Sequence, residues 1–246
     1  MNILVCISKA PDTTTKISFT DGDTKFNEDG VQFIVNPYDE WYALVRALEL
    51  KEAQGGKVTI ISVGGADYEP IMRKALAIGA DDAVRVDAQP TDAYQVAAEI
   101  SNYAKDKGFD LIMAGKETID YNGSQVAGMI AAIMDIPFVS NAISLEVDGG
   151  TANLERDKQG GTEVLSVSTP AVISAAKGMA EQRIPNMRGI MAARTKPLQV
   201  VPASGAEALT ETVSYELPPA KGDVQLIDPE NMEELVNLLH NEAKVI

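Results

Sequence analysis

The feature that most constrains this chain is a rhythm. Over residues 1 to about 134, short apolar runs of strand length alternate with segments whose apolar residues recur at helical spacing. The runs are Ile3–Ile7, Val58–Val63, Ala83–Val86 and Asp110–Ala114. Between and after them come Trp41, Leu44, Val45 and Leu48, then a stretch from about Tyr68 to Gly79. Val96, Ala97, Ile100 and Tyr103 follow, and then Val126, Met129, Ile130 and Ile133. Strands apolar on both faces, joined by amphipathic helices through short connections, pair by crossovers. The expected fold class is therefore α/β: a doubly wound, mainly parallel sheet with helices on both faces.

Local signals refine the outline. Residues 17–35 read as a hairpin, with Lys16–Thr20 and Val31–Val35 joined through a turn at Asp21-Gly22-Asp23. Asn36-Pro37-Tyr38-Asp39 reads as a helix start, with Asn36 as cap, Pro37 at the first position, and Asp39 and Glu40 at the positive end of the dipole. Thr91 is the expected cap of a later helix. From Ala142 the rhythm changes: Ile143–Val147, Ala152–Arg156 and Thr162–Ser168 suit antiparallel strands, and Ala171–Ser174 suits a return to the main sheet. After Val201 come a polar linker, Pro202–Glu211, and a last helix from Asp228-Pro229 showing Met232, Leu235, Val236 and Leu239 on one side. One short helix has no core of its own, so it is expected to dock on this domain or on another chain. The expected organisation is an α/β domain over 1–201, with a β insertion at about 142–168, followed by a linker and helical arm over 202–246.

Charge and cysteine usage narrow the partners. The net charge of -15 over 246 residues disfavours nucleic acid and anionic membrane surfaces. Cys6 is the single cysteine, so no intrachain disulfide forms, which suits a reducing compartment. The N-terminus reads as a strand rather than a signal peptide, and no apolar stretch reaches the ~20 residues of a membrane helix. A cytoplasmic location is expected.

In an open parallel sheet, ligands sit beyond the carboxyl ends of the strands. Cys6-Ile7-Ser8-Lys9, Val63-Gly64-Gly65 and Gly115–Gln125 occupy such places. In the third, a polar loop leads straight into a helix. Its free amides and the helix dipole can hold a phosphate, Gly123 allows close approach, and Ser124 and Gln125 can donate hydrogen bonds. The residues alone leave two readings open: an anion-binding loop, or only a capped strand–helix connection. The spacing matches neither a P-loop nor G-x-G-x-x-G. His240 is the only histidine, which argues against a His-rich metal site or a Ser-His-Asp triad. No catalytic residue is assigned.

One stretch departs from the acidic background. Gln182–Ala206 has no Asp or Glu, carries Arg183, Arg188, Arg194 and Lys196, and interleaves Ile184, Met187, Ile190 and Met191. It reads either as a mixed surface loop with core anchors or as a segment for meeting an acidic partner.

Several motifs, in order, carry a family resemblance. They are Asn2-Ile3-Leu4-Val5-Cys6 with Pro11-Asp12, Asn36-Pro37, Ala75-Leu76-Ala77-Ile78-Gly79-Ala80-Asp81, Gly115-Lys116-Glu117-Thr118-Ile119-Asp120, and Ile190-Met191-Ala192-Ala193-Arg194. Together they resemble the β subunits of electron-transferring flavoproteins along the whole chain. The resemblance implies an adenine nucleotide α-hydrolase-like sheet and a heterodimer whose α subunit holds most of the redox FAD site. It also implies a structural AMP in this subunit, or a second FAD in electron-bifurcating members.

Carried onto this sequence, the adenine end would lie near Cys6, Asn36, Pro37, Tyr38, Asp39 and Val63. The phosphate end would lie along Gly115 and Ile119, Asp120, Tyr121, Asn122, Gly123, Ser124, Gln125 and Val126. A recognition loop at about 178–196 would dock partners through Arg183, Met187, Arg188, Ile190 and Met191, with Met187 at the anchor position. The implied partners are acyl-CoA or related dehydrogenases of fatty-acid β-oxidation and a quinone oxidoreductase.

The sequence also departs from the family. Val126 stands where AMP-binding members commonly have threonine, Thr13 where some have tyrosine, and Ala192 and Thr195 where some have lysine. AMP is the preferred ligand. The rivals are the bifurcating form, a universal-stress-type regulator, and an adenylating enzyme, for which Ser8-Lys9-Ala10-Pro11-Asp12 is a poor pyrophosphate loop.

Overall fold

Alternate residues of the first strand point into different cores. In a computed structural model describing Met1–Ile246, β1 (Asn2–Cys6) sends Ile3 and Val5 to one face of the sheet and Leu4 and Cys6 to the other. All of these side chains are buried, which is why the run lacks an apolar/polar alternation. Short strands follow: β2 (Lys9–Pro11), β3 (Phe19–Thr20), β4 (Lys25–Phe26) and β5 (Phe33–Val35). The remaining alternating elements are α1 (Asp39–Gln54), β6 (Lys57–Val63), α2 (Glu69–Ile78), β7 (Asp82–Asp87), α3 (Ala93–Ala104), β8 (Leu111–Gly115) and α4 (Val126–Met134). Then come β9 (Phe138–Asp148), β10 (Thr151–Lys158), β11 (Gly161–Ser168), β12 (Ala171–Ala175), α5 (Met187–Ala193) and β13 (Leu198–Pro202).

One nine-stranded sheet runs β11-β10-β9-β12-β8-β1-β6-β7-β13. Every pairing from β9 through β12 to β13 is parallel, and only β9–β10 and β10–β11 are antiparallel. Helices α1 and α2 pack with Ile3, Val5, Val58 and Ile60, while α3 and α4 pack with Leu4, Cys6, Ile61 and Val63. The sheet is thus wound on both faces. The chain leaves β1 toward β6 and later returns to β8 on the other side of β1, so the strand order switches direction there. No helix is long and apolar enough to cross a membrane.

Several local expectations need correcting. Residues 17–35 do not form one hairpin: β3 pairs with β4, and β5 pairs with β2, because the backbone of Lys9–Pro11 offers β5 an edge before its own upstream neighbour does. The strands expected as an insertion extend the main sheet, since β9 is one long strand paired with β12 at its start and β10 at its end. Asp92, not Thr91, caps α3, accepting the Gln95 N–H at 2.8 Å.

The structure resolves into two units, Met1–Ser214 and Tyr215–Ile246. Within the expected polar linker, Pro202–Glu211, residues 204–206 are tied to Glu99 of α3 and residues 209 and 210 to its cap Asp92. In the second unit the helix α6 (Met232–Asn237) starts after the cap Asn231 rather than at Asp228-Pro229, and it continues as a wider π turn over Leu238–Glu242. No residue of α6 is buried.

Candidate functional site

The carboxyl ends of β1, β6 and β8 meet at a cleft of about 450 Å³. Its floor is Cys6, Ile61, Val63 and Ala114, and its sides are Ser8–Lys9, Tyr68, Pro90–Ala93, and Gly115–Thr118, Asp120–Tyr121 and Gly123–Ala127 from the stretch after β8. Thr210 and Thr212 close another side. The cleft therefore sits where the strand order switches, the usual place for a ligand in this architecture.

The loop after β8 offers backbone donors at the edge of the cleft. Asn122 and Ser124 adopt φ of 48° and 50°, whereas Gly123 stays outside the left-handed region and Gln125 has φ of -105°. The Asn122 N–H closes the loop on Thr118 O at 2.9 Å, and alternating backbone of this kind can turn the amides that follow, those of residues 123–125, toward a common side. The helix α4 begins at once, and Gln125 gives its first turn no side-chain cap. The positive end of that helix is thus left available to a ligand.

The segment Asn36–Glu40 braces this loop from behind. Asn36 does not cap α1: its Nδ2 donates to Glu117 O and its Oδ1 accepts from Ile119 N, both at 3.0 Å. The residue before α1 is Tyr38, with φ of 66° and no capping hydrogen bond from its side chain. A positive φ at a bulky residue costs of the order of 1–3 kcal/mol and persists only where neighbours impose it. Here they do, since Asn36 holds one flank and Glu40 the other.

Glu40 was missed by sequence reasoning because it looked like a solvated helix-start acid. It is buried and lines the cleft. Its carboxyl accepts the Ser8 N–H at 2.8 Å and pairs with the Ser8 hydroxyl at 2.7 Å. Burial pushes its pKa up to about 8; the two Ser8 bonds oppose this, while the charges of Asp120 and Asp39 add to it. Near neutral pH this acid therefore keeps its proton. Burial likewise raises the Tyr68 phenol to about 12 and pushes the Cys6 thiol up, so Cys6 is an inert wall residue rather than a nucleophile.

Among the residues named from sequence, Cys6, Val63, Gly115, Asp120, Tyr121, Gly123, Ser124, Gln125 and Val126 line the cleft. Asn36, Pro37, Tyr38, Asp39, Ile119 and Asn122 stand outside its lining, and of the Asn36–Glu40 segment only Glu40 reaches it. The Asp120 carboxylate accepts the Tyr121 N–H at 3.0 Å instead of capping α4. Lys9, in the stretch Ser8–Asp12 that makes a poor pyrophosphate loop, is spent within the protein. It is buried against the Phe33 ring at 3.7 Å and pairs with Asp67 at 2.5 Å.

The acid-free stretch has a firm base. Gly189 lets α5 approach α2, because a Cβ there would strike Ala77 O. Arg73 donates to Ala193 O and Lys196 O at 2.8 and 2.7 Å, and Lys196 Nζ donates to Leu76 O and Ala80 O at 2.9 and 2.5 Å. Ile184, Met187, Ile190 and Met191 remain exposed on this clamped element, Met187 at 73%. Arg183 is held by Glu52 at 2.6 and 3.0 Å, and its carbonyl accepts the Trp41 indole N–H at 3.2 Å.

Comparison with known proteins agrees with this picture. Residues 23–206 match the electron transfer flavoprotein domain. The chain is 38% identical over 260 residues to the electron transfer flavoprotein subunit beta of Bacillus subtilis, covering 100% of both chains. It is 37% identical to the subunit of that name in Syntrophomonas wolfei, covering 90% of this chain and 87% of the other. To the Homo sapiens subunit beta it is 32% identical, with 90% of each chain covered. A family domain spanning most of the chain and full-length likeness to named β subunits lead to one conclusion: this chain belongs to the electron transfer flavoprotein family, among its β subunits.

Proposed function

We propose that this chain is the redox-silent half of a heterodimeric electron carrier. It holds AMP in the cleft as a structural ligand and completes, with an α subunit, the site of the flavin that carries the electrons. The observation that carries the reading is that Gly123, Ser124 and Gln125 line the cleft and run straight into the start of α4, which no side chain caps. That stretch suits a phosphate, and the apolar floor of Cys6, Ile61, Val63 and Ala114 suits a purine face. The volume of about 450 Å³ lies in the lower half of the ~300–1,000 Å³ span of small-molecule sites, which favours a mononucleotide. Bound there, AMP stabilises the folded chain by mass action.

The α subunit is the expected cover for apolar side chains of the second unit, such as Leu217, Val224 and Leu226, all more than half exposed. The exposed Met187 and Met191 on α5 are proposed to meet acyl-CoA or related dehydrogenases. Methionine is unbranched and adaptable, and suits one surface that meets several partners. Electrons would leave toward a quinone oxidoreductase or another acceptor.

A second reading is the bifurcating form, with FAD in the cleft. It is favoured by Val126, which lines the cleft where a threonine hydroxyl is common in AMP-binding relatives of the resembled family. One experiment separates the two. The heterodimer is purified from its native host, its nucleotides are released by acid, and each is identified by mass and counted. One AMP and one FAD per heterodimer supports the first reading, and two FAD supports the second. No nucleotide beyond the α-bound flavin would sink both.

A further inference from the structure

Residues 203–214 form a strap that contains no helix or strand, yet two of them, Thr210 and Thr212, line the cleft. Two acids of the α3 region hold the strap. Glu99, buried, accepts the amides of Ser204, Gly205 and Ala206 at 2.7, 3.2 and 3.2 Å. Asp92 divides its oxygens between two tasks. Its Oδ1 caps α3 through the Gln95 N–H at 2.8 Å. Its Oδ2 accepts the Leu209 N–H at 2.7 Å, the Thr210 N–H at 2.9 Å and the Thr210 hydroxyl at 3.3 Å. Asp92 and Thr210 both line the cleft.

The other walls are strand ends, Tyr68, the Pro90–Ala93 approach to α3, the start of α4 and a loop braced by Asn36, each running directly into a helix or strand. The strap has no ladder of its own. Its Glu99 anchor is buried, whereas its Asp92 anchor is one partly exposed side chain. The wall with the fewest bonds to break is therefore the stretch around Leu209–Thr212, and the bonds to break there converge on one carboxylate oxygen.

We propose that Asp92 is the latch of the nucleotide cleft: a positioning residue that holds Leu209 and Thr210 across the opening and sets how fast the ligand leaves. This rests on reading the cleft as an adenine-nucleotide site. Hydrogen bonds to an ionised carboxylate are the stronger kind. Losing about 1.4 kcal/mol of such bonding raises the open population about tenfold.

The test uses the purified heterodimer loaded with radiolabelled AMP and chased with excess unlabelled AMP. Asp92→Ser keeps a good helix cap but is too short to reach the strap. Asp92→Asn keeps a neutral acceptor. The expected result is AMP release about tenfold or more faster in Asp92→Ser and a smaller increase in Asp92→Asn. Amide hydrogen exchange should quicken at Leu209 and Thr210 while the Gln95 amide stays protected. Unchanged release in Asp92→Ser, with the Leu209 and Thr210 amides opened, would overturn the latch while leaving the nucleotide reading intact. A wild-type heterodimer that retains no AMP would overturn the nucleotide reading, and the latch with it.

Discussion

Gly115 offers a clean perturbation, because its side-chain volume has nowhere to go. A Cβ built there would lie 2.8 Å from the backbone nitrogen of Glu40, 2.8 Å from its Cγ and 3.0 Å from Asp39 Cβ. The start of α1 cannot easily retreat. Tyr38 is fixed at φ of 66°, Glu40 is bonded to Ser8, and Asn36 is bonded to the loop that Gly115 begins. Forcing a methyl into such a site typically costs ~1–3 kcal/mol. For a chain of this length each kcal/mol lowers Tm by ~2–4 °C, so Gly115→Ala should lower it by roughly 2–12 °C. The atoms pushed aside carry the phosphate loop, so bound nucleotide should fall as well. The control is Gly123→Ala, where no atom lies within 4 Å of the new Cβ. That variant should stay within ~0.5 kcal/mol of wild type. Thermal unfolding of the heterodimer with and without saturating AMP, plus nucleotide content by mass, reads both effects. Gly115→Ala with unchanged Tm and nucleotide content would refute the reasoning, as would an equal loss of ligand-free Tm in Gly123→Ala.

Gly123→Asp adds a charge in open space beside the loop amides, so nucleotide content should drop while the ligand-free Tm holds; retained nucleotide would place the phosphate elsewhere. Glu40 has a pKa of about 8 when folded, above its ordinary 4.5, so the folded chain binds more protons than the unfolded one between these values. Stability contributed by this group is therefore full below about 4.5 and is lost as pH rises toward 8, at up to about 1.4 kcal/mol per pH unit. Glu40→Gln should remove that loss, so its unfolding free energy relative to wild type should rise across the window in pH-resolved denaturation; a flat difference would contradict it. Met187→Ala truncates an exposed side chain, so Tm and flavin content should hold while stopped-flow reduction by a partner dehydrogenase slows; loss of flavin instead would mark an assembly surface.

How much of this could be read from sequence depended on the range of the forces involved. The alternation of strand and helix follows from local periodicity, and β1, β6, β7 and β8 fall where apolar runs put them. The loop after β8 was also visible, because glycine and polar residues before an apolar helix are a local pattern. What stayed hidden was pairing over distance. Asn36 has the composition of a cap, but its amide is used 81 and 83 residues away, on Glu117 and Ile119. Pro202–Glu211 is polar and looks like linker, but Glu99 and Asp92 collect its amides from more than 100 residues away. Glu40 looked like a dipole-matching acid, which it is by position. Only the fold reveals that the same carboxyl is buried against Ser8 at the mouth of β1.

The proposed nucleotide site has to reconcile an anion with a chain of net charge -15 and a cleft that includes Glu40, Asp92, Glu117 and Asp120. Each acid is already committed within the protein. Glu40 is buried and keeps its proton near neutral pH. Glu117 is paired with Lys116 at 2.9 Å, and that bond holds its pKa below the ordinary value. Asp92 faces the cap and strap amides, and Asp120 accepts the Tyr121 amide. The donors left for a ligand are backbone N–H groups of residues 123–125 and the first turn of α4, whose partial positive charges do not depend on side-chain titration; the Asn122 N–H is spent on Thr118 O at 2.9 Å. Local potential in a cleft follows from which groups face it and how each is already satisfied, not from the sum over the chain. The proposed phosphate seat therefore needs no free lysine or arginine at the contact, and the net charge of the chain is no objection to it.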